Sequence, residues 1–285
     1  MAIDAEKLLN WPSKDVEQIY TKRDTMLYAL GLGFGSEPTN EGELNYVYEE
    51  KLLAVPTMAV VLGSPGFWLR DPETGVDWKR VLHGEQWLEI MQPIPAEGAV
   101  IGRTKVTDIL DKGPDKGAII YSSREIVDKA SGEPLARVSM STFCRGDGGF
   151  GGKPGPAPSP HPIPETAPDL TCDLSTQPQA ALIYRLSGDY NPLHADPKVA
   201  QAAGFPRPIL HGLATYGCAA RAVLKACCDY DPSRLRSLSV RFSAPVFPGE
   251  SLRIEMWRET GGVAFRARVN ERDSIVMTNG FAGLE

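Results

Sequence analysis

The second half of the chain has the clearest pattern of hydrophobic and polar positions. Apolar residues recur at helical spacing over residues 212–228, with small residues where a sheet can pack closely. Four runs with strand character follow, over residues 235–246, 251–259, 263–270 and 274–281. Turn signals separate them: Pro248-Gly249, Gly261-Gly262 and the polar segment 271–273. The pattern predicts a central helix followed by an antiparallel meander that wraps around it, and therefore the α+β class.

Two shorter helices are predicted before the central one. The first covers residues 177–186, with Thr176 as its expected N-cap. Asp196 and Pro197 open the second, because proline suits the first helical position. Gly204 is expected to end it, since glycine suits the residue after the last turn.

A segment rich in glycine and proline, residues 145–169, divides the chain near its middle. The halves on either side resemble each other. PILHGLATYG from Pro208 resembles PTMAVVLGSP from Pro56, with an offset of 208 − 56 = 152. VRFSAPVFPGESLRIEM around Pro245 resembles LEIMQPIPAEGAVIGRT around Pro93, and 245 − 93 is again 152. The common offset indicates an internal duplication. The expected units are a first domain at 1–147, a linker at 148–168 and a second domain at 169–285.

Size and charge narrow the class of protein. The 285 residues and 31.0 kDa suit two domains, and contents of 42% hydrophobic and 23% charged residues are typical of globular proteins. A net charge of -6 argues against general affinity for nucleic acid or anionic membranes. No stretch approaches the roughly 18 apolar residues that span a bilayer, the start lacks a signal-peptide pattern, and the final Gly-Leu-Glu is no peroxisomal address. We expect a soluble, cytoplasmic protein.

The cysteines show no ligand or disulfide pattern. They are odd in number and have no CxxC or Cys/His spacing: Cys144, Cys172, Cys218, Cys227 and Cys228. Cys227 and Cys228 fall in a helical stretch, where a buried small apolar side chain is the ordinary role. We expect neither a disulfide nor a metal site.

The densest group of reactive side chains lies in SGDYNPLHADP, residues 187–197. Asp189, Asn191 and His194 fall within six residues of a segment whose glycine and prolines prevent a continuous helix, so all three can converge from one loop. A carboxylate and an imidazole can hold one water between them, with an amide to orient it. Such a set suits the addition of water to a polarised double bond. Turn chemistry alone also explains the segment, because Asn-Pro and Asp-Pro both initiate turns.

A second feature, PILHGL, places Gly212 at the start of the predicted central helix. A first-turn N–H has no intrahelical partner and lies at the positive end of the helix dipole. It can therefore stabilise charge that develops on a thioester oxygen, and glycine permits the close approach this needs. Helix–strand packing is the alternative role for Gly212. For His211 we favour a hydrogen-bonded core histidine.

Together, SGDYNPLHADP and GFPRPILHGLATYG resemble the signature of the MaoC-like R-specific enoyl-CoA hydratases, the hydratase 2 family, also found as a domain of peroxisomal multifunctional enzymes. YALGLGFG, HGEQWLEIMQP and RGDGGFGG are similar to the family's N-terminal domain, so the resemblance covers nearly the whole chain. It implies a double hot-dog fold, in which two antiparallel sheets are each wrapped around a central helix.

The resemblance also implies roles for individual residues. The family's catalytic Asp, Asn and His fall on Asp189, Asn191 and His194, and its oxyanion-hole amide falls on Gly212. The implied reaction is hydration of a trans-2-enoyl-CoA to a (3R)-3-hydroxyacyl-CoA, with no metal or redox cofactor. Asp189 is the expected base and His194 the expected acid, although coupled groups can exchange these roles.

The first half is expected to have lost the acid–base groups. At the offset of 152, His211 and Gly212 correspond to Ala59 and Val60. When Tyr184 is aligned with Tyr28, 184 − 28 = 156, Asp189 and His194 correspond to Gly33 and Pro38. In the family such a degenerate domain supplies the partner sheet and room for a bulky acyl chain, which implies medium to long or branched acyl groups.

Two further motifs are weaker candidates. We interpret His83, in HGEQ, as a structural hydrogen-bonding group rather than a second catalytic one. GDGGFGG is similar to a phosphate loop, but no G-K-[ST] follows, because Lys153 precedes Pro154. Its position at the domain junction favours a flexible turn.

Several alternatives stay open on the sequence. A hot-dog thioesterase would hydrolyse the same thioester, and release of free CoA would reveal it. A non-catalytic acyl-CoA-binding protein would tolerate Asp189→Asn. The same catalyst can also run as a dehydratase. Straight-chain, methyl-branched and steroid acyl groups all fit, as do a monomer and a homodimer of fused units.

Overall fold

The structure, a computed structural model, describes residues 3–285 and places ten strands of them in one antiparallel sheet. Residues 1 and 2 of the expected first domain lie outside the described residues. The strands are β1 (Val16–Tyr20), β2 (Val81–Ile90), β3 (Gly98–Asp111), β4 (Ala118–Asp128), β5 (Pro134–Cys144), β6 (Leu170–Ser175), β7 (Leu235–Phe242), β8 (Ser251–Glu259), β9 (Gly262–Val269) and β10 (Ser274–Leu284). The α-helices are α1 (Ala5–Leu9), α2 (Lys22–Gly31), α3 (Glu41–Leu44), α4 (Ala180–Tyr184), α5 (Pro197–Ala202) and α6 (Gly212–Cys227).

Each half of the chain contributes five strands in the same order. The order across the sheet is β1-β3-β4-β5-β2 in the first half and β6-β8-β9-β10-β7 in the second. β2 and β7 lie side by side at the centre, in register from Glu85 opposite Arg241 to Glu89 opposite Ser237. The shared topology supports the internal duplication and confirms the α+β class. The two expected sheets are joined into one through the β2–β7 pair.

The predicted central helix is α6, which begins at Gly212 and is buried over most of its length. No helix among the described residues is long and apolar enough to cross a bilayer. The first half differs from the expectation, because residues 60–75, the equivalent of α6 at the offset of 152, contain no α-helix, and the 3-10 turn Pro56–Val60 ends where that helix would begin. The chain then passes over β3 at Gly102. The two backbones are so close there that a Cβ on Gly102 would lie 2.0 Å from the Gly63 carbonyl oxygen. A long central helix therefore covers only the second half of the described sheet.

The predicted meander holds for β8, β9 and β10, which pair in sequence. β7 departs from the prediction, because it pairs with β10 rather than with β8. The turn at Gly249, which has a φ of 93°, thus carries the chain across the half-sheet instead of closing a hairpin. β6, which the sequence pattern did not indicate, pairs with β8 at the outer edge.

The helices next to the predicted loop are close to those expected. α4 begins at Ala180, and Thr176 is not its cap. The Thr176 hydroxyl instead donates to the Glu250 carbonyl at 2.8 Å, because β6 ends beside the turn that precedes β8. α5 begins as predicted, with the Asp196 carboxylate accepting from the Lys198 amide at 2.8 Å. The loop between α4 and α5 is therefore fixed at both ends.

A buried ion pair ties α6 to the first half. Arg221 Nη2 lies 2.6 Å from Glu43 Oε1, and the two side chains are 2% and 0% exposed. Arg221 also donates to Ser36 Oγ at 2.7 Å and to the Leu32 carbonyl at 3.4 Å. The first half thus fixes the position of α6, and with it the position of Gly212.

The expected linker, residues 148–168, has no helix or strand. At its start the amides of Gly149, Gly151 and Gly152 donate to the Asp111 carboxylate, at 2.7, 2.9 and 3.2 Å. The glycine-rich turn is therefore anchored rather than flexible. Its amides bind a carboxylate of the protein itself, so they are not free to bind a phosphate.

Candidate active site

The loop between α4 and α5 is built from turn chemistry. Asp189 Oδ1 accepts from the Asn191 amide at 3.1 Å, and Asn191 Oδ1 accepts from the Leu193 amide at 3.1 Å. The second of these bonds caps a 3-10 turn, Pro192–His194, and that turn carries His194 into the interior, where it is 8% exposed. The turn interpretation and the catalytic interpretation of this segment are thus compatible, because the turns deliver the reactive groups.

Three acid–base groups converge at this loop. Ligand atoms of Asp189, His194 and His211 all lie within 4.8 Å of one another. His194 Nδ1 donates to the Ile209 carbonyl at 2.9 Å, and His211 Nε2 donates to the Asp189 main-chain carbonyl at 3.1 Å. The His194 and His211 rings stack, with centroids 3.7 Å apart. The site therefore joins the loop to the N-terminal end of α6.

The surroundings hold both stacked histidines in the neutral form. Burial lowers the pKa of His194, while the Ile209 carbonyl and the charge of Asp189 act in the opposite direction. Burial and the adjacent His194 lower the pKa of His211 to about 4. Because neutral His194 keeps its proton on Nδ1, its Nε2 presents a lone pair that can accept a proton.

Gly212 is the first residue of α6, and His211 is its N-cap. The amides of Ala214 and Thr215 both return to the His211 carbonyl, whereas the Gly212 amide, at the very start of the helix, has no carbonyl of the preceding turn to bond. A Cβ at Gly212 would lie 3.4 Å from the edge of the Phe242 ring. The amide thus lies at the positive end of the helix, and the absence of a side chain at Gly212 leaves the space beside the Phe242 ring open.

The sequence-predicted residues are not all brought together. Asp189 and His194 meet, and Gly212 begins α6 directly after the clustered His211. Asn191 is exposed and uses its amide oxygen as a helix cap. His211 is hydrogen-bonded and buried, as predicted, and is also part of the cluster.

His83 was interpreted from the sequence as a structural hydrogen-bonding group. Hydrogen bonding to the Glu85 main chain and the Gln86 side chain acts on its pKa, whereas its Nε2 is shielded from solvent and has no hydrogen-bond partner. Its ring lies 4.7 Å from that of Phe242, edge on. Its position in HGEQ, within a motif already similar to the family's, was the one available signal.

The cluster suits a water better than a metal ion. One carboxylate and two imidazoles are a common donor set for a divalent cation. However, the planes of His194 and His211 are inclined by only 26°, so their lone pairs run side by side rather than converging on one point. Each ring also has one nitrogen bonded to a main-chain carbonyl.

Comparisons with known proteins identify the family of the chain. Residues 160–279 match the family model for a MaoC like domain, and residues 19–146 match that for the MFE-2 hydratase 2 N-terminal domain. The chain is 41% identical to "Probable enoyl-CoA hydratase 2" of Dictyostelium discoideum, over 100% of this chain and 98% of that protein. It is 37% identical to a MaoC-like dehydratase from Phytophthora capsici, with a TM-score of 0.87 and coverage of 99% of both chains.

A more distant structure supports the fold. A Mycobacterium tuberculosis protein described as having a double hotdog fold matches with a TM-score of 0.56 at 14% identity, covering 96% of this chain and 94% of that one. The double hot-dog prediction is confirmed, with one long central helix instead of two. The chain belongs to the MaoC-like hydratase 2 family.

Proposed function

We propose that this protein hydrates trans-2-enoyl-CoA to (3R)-3-hydroxyacyl-CoA, with Asp189 and His194 as the acid–base pair and the Gly212 amide as the oxyanion donor. The observation that carries the proposal is the convergence of a carboxylate and a neutral imidazole beside the free N-terminal end of α6. The relative named an enoyl-CoA hydratase 2 supports the substrate class.

The proposed chemistry begins with one water held between the pair. The water donates its hydrogens to the Asp189 carboxylate and to His194 Nε2, so its oxygen lone pair faces C3 of the substrate. Attack forms the C3–O bond and moves the electrons of the double bond onto the thioester oxygen, where the Gly212 N–H stabilises them. The pair takes one proton from the water and one proton returns to C2. Water is thus consumed with no net proton change.

The protonation state refines the expected division of roles. Since burial keeps His194 neutral, any proton that it gives to C2 must first come from the water, directly or through Asp189. Asp189 as the initial base and His194 as the group that relays the proton is consistent with that order. Reversal of the same steps gives a dehydratase, the name carried by the Phytophthora capsici structure.

We also propose that the first half accommodates medium to long or branched acyl chains. Its short turn, Pro56–Val60, occupies less space than the 16-residue α6. A mostly apolar cavity of about 220 Å³ is lined mainly by this half, among others by Leu52, Pro56, Ile90 and Ile94, and is bordered by Pro232, Ser233 and Arg236 of the second half. At the offset of 152, Pro56 and Ile90 correspond to Pro208 and Phe242 of the catalytic half. The cavity is therefore the counterpart of the reactive pocket, without its acid–base groups.

The test is turnover of crotonyl-CoA, octenoyl-CoA and decenoyl-CoA, followed by loss of enoyl thioester absorbance and by chiral analysis of the product. The expected product is (3R)-3-hydroxyacyl-CoA. Release of free CoA thiol, measured in the same reaction, would instead identify a thioesterase. Binding without turnover of any of the three would favour the acyl-CoA-binding protein.

A further inference from the structure

His83 brings an unused polar atom of the first half to the catalytic pocket of the second. Its ring packs edge on against Phe242, the residue that also borders Gly212. Its Nε2 is shielded from solvent and unpaired. A buried nitrogen left without a partner destabilises the folded protein, so it is a position at which a bound ligand can restore a hydrogen bond.

A β-bulge directs the His83 side chain. In the β2–β5 pair His83 lies opposite Thr142 and Glu85 opposite Ser141, so the register shifts between them. A Cβ at Gly84 would lie 2.7 Å from Ser141 Oγ, so a larger residue there would displace the Ser141 side chain that binds Glu85. Glu85 then binds Arg241 and Ser141, while His83 turns towards Phe242. Bulges of this kind re-aim side chains beside functional sites.

The contacts of His83 indicate which nitrogen carries its proton. Burial lowers its pKa to about 4, so the ring is neutral, while the Glu85 main chain and the Gln86 amide oppose that shift by hydrogen bonding. Gln86 Nε2 already donates to the Trp87 and Ser139 carbonyls, so the Gln86 oxygen is the atom that can accept from the imidazole. These acceptors favour the proton on Nδ1. The unpaired Nε2 therefore presents a lone pair and needs a donor.

We propose that His83 Nε2 accepts a hydrogen bond from the substrate amide N–H nearest to the thioester sulfur, in the pantetheine arm. The inference rests on the proposed function, which puts the thioester oxygen at the Gly212 amide, and Phe242 borders both Gly212 and His83. The thioester group itself offers only acceptors. The nearest donor in the substrate is the amide N–H two methylene groups beyond the sulfur. His83 is thus a substrate-binding residue that the first half supplies to the site.

The test uses two crotonyl thioesters that differ only at this group. One carries an S-(2-acetamidoethyl) arm, and the other carries an S-(2-acetoxyethyl) arm in which an ester oxygen replaces the amide N–H. The measurement is the ratio of kcat/KM for the amide and the ester substrates. We expect the wild-type protein to prefer the amide by about tenfold, the order expected when one buried acceptor is left unpaired.

Three variants test the residue. His83→Phe keeps the packing against Phe242 but removes the acceptor, so the ratio should fall to about one. His83→Gln places an amide oxygen near the position of Nε2, so the ratio should recover in part. His161→Phe is the matched control, because His161 also packs on a phenylalanine, Phe281 at 4.6 Å, but bonds Glu259 away from the site. It should keep the wild-type ratio.

The outcomes separate this inference from the proposed function. A wild-type ratio near one, or a ratio that survives in His83→Phe, overturns the role of His83. A loss of kcat that is equal for both substrates in His83→Phe also overturns it, since it would place His83 at the water or the thioester oxygen. Failure of wild-type protein to turn over either thioester or crotonyl-CoA contradicts the proposed function itself.

Discussion

His194 and His211 stack face to face, with ring centroids 3.7 Å apart and planes inclined by 26°. The loop after α4 supplies one ring, and the residue that caps α6 supplies the other. A positive charge on one ring disfavours a charge on the other, as the effect of His194 on the pKa of His211 shows. Burial lowers the pKa of His194, and its bond to the Ile209 carbonyl holds the proton on Nδ1, which leaves Nε2 for catalysis.

The neutral state of His194 predicts the pH dependence of activity. Its pKa is lowered from the ordinary value of 6.5, so protonation, and with it the loss of kcat/KM, should occur only as the pH falls below 6.5. Arg185 contributes to the lowering, so Arg185→Gln should move the acidic limb to higher pH. Profiles of kcat/KM for both proteins test this. An acidic limb centred at or above 6.5 in the wild type would contradict the neutral imidazole.

The oxyanion role predicts a steric effect at Gly212. Gly212→Ala keeps the amide but adds a methyl group 3.4 Å from the Phe242 ring edge, where the thioester oxygen must approach. We expect kcat/KM to fall by at least about tenfold. The loss should be smaller than the roughly 10²-fold or greater loss that follows removal of an oxyanion donor, because the amide is still present. Phe242→Leu in the same protein should restore part of the activity by making room. Unchanged kinetics in Gly212→Ala would show that the thioester oxygen does not bind at this end of the helix.

Asn191 offers a test between a cap and a water ligand. Its side-chain oxygen caps the Pro192–His194 turn, so Asn191→Ser, which can accept the same bond from Leu193, should keep activity within about threefold. Asn191→Ala should lose more, because the turn that places His194 is weakened by about 1 kcal/mol. Equal and severe loss in both variants would show that the amide acts on the water.

The buried Arg221–Glu43 pair predicts a large effect on stability. Arg221→Met leaves the Glu43 charge buried without its partner, which should lower the free energy of unfolding by about 3–5 kcal/mol. Arg253→Met is the matched control, because Arg253 also donates from Nε and Nη2 to one carboxylate, that of Asp173, but the pair is exposed. Denaturant unfolding of both variants measures the difference. Similar losses of unfolding free energy in the two variants would show that burial does not increase the cost of breaking an ion pair in this protein.

Elements with long, regular patterns were predictable from the sequence. α6 and the meander β8–β10 combine extended periodicity with glycine and proline turn signals, so local preferences and tertiary structure agree. β6 has only six residues beside a proline-rich segment and depends on pairing with β8. The turn at Pro56–Val60 depends on the contact between Gly63 and Gly102, which no local pattern reveals.

The candidate site also combines features that the sequence predicts with features that depend on long-range contacts. The convergence of Asp189 and His194 follows from one short segment and its turns. The stacking of His211 on His194 depends on how α6 meets that segment. The unpaired Nε2 of His83 depends on the pairing of β2 with two other strands and on the bulge at Gly84. Such long-range contacts carry no periodic signal in the chain.

The most direct test of the central claim compares wild-type protein with Asp189→Asn on crotonyl-CoA and decenoyl-CoA, with chiral analysis of the product. Asparagine keeps the shape of the side chain, including an oxygen able to accept from the Asn191 amide, but removes the base. We expect (3R)-3-hydroxyacyl-CoA from the wild type and a loss of kcat of about 10²- to 10⁴-fold in the variant. A 3S product, or full activity in Asp189→Asn, would contradict it.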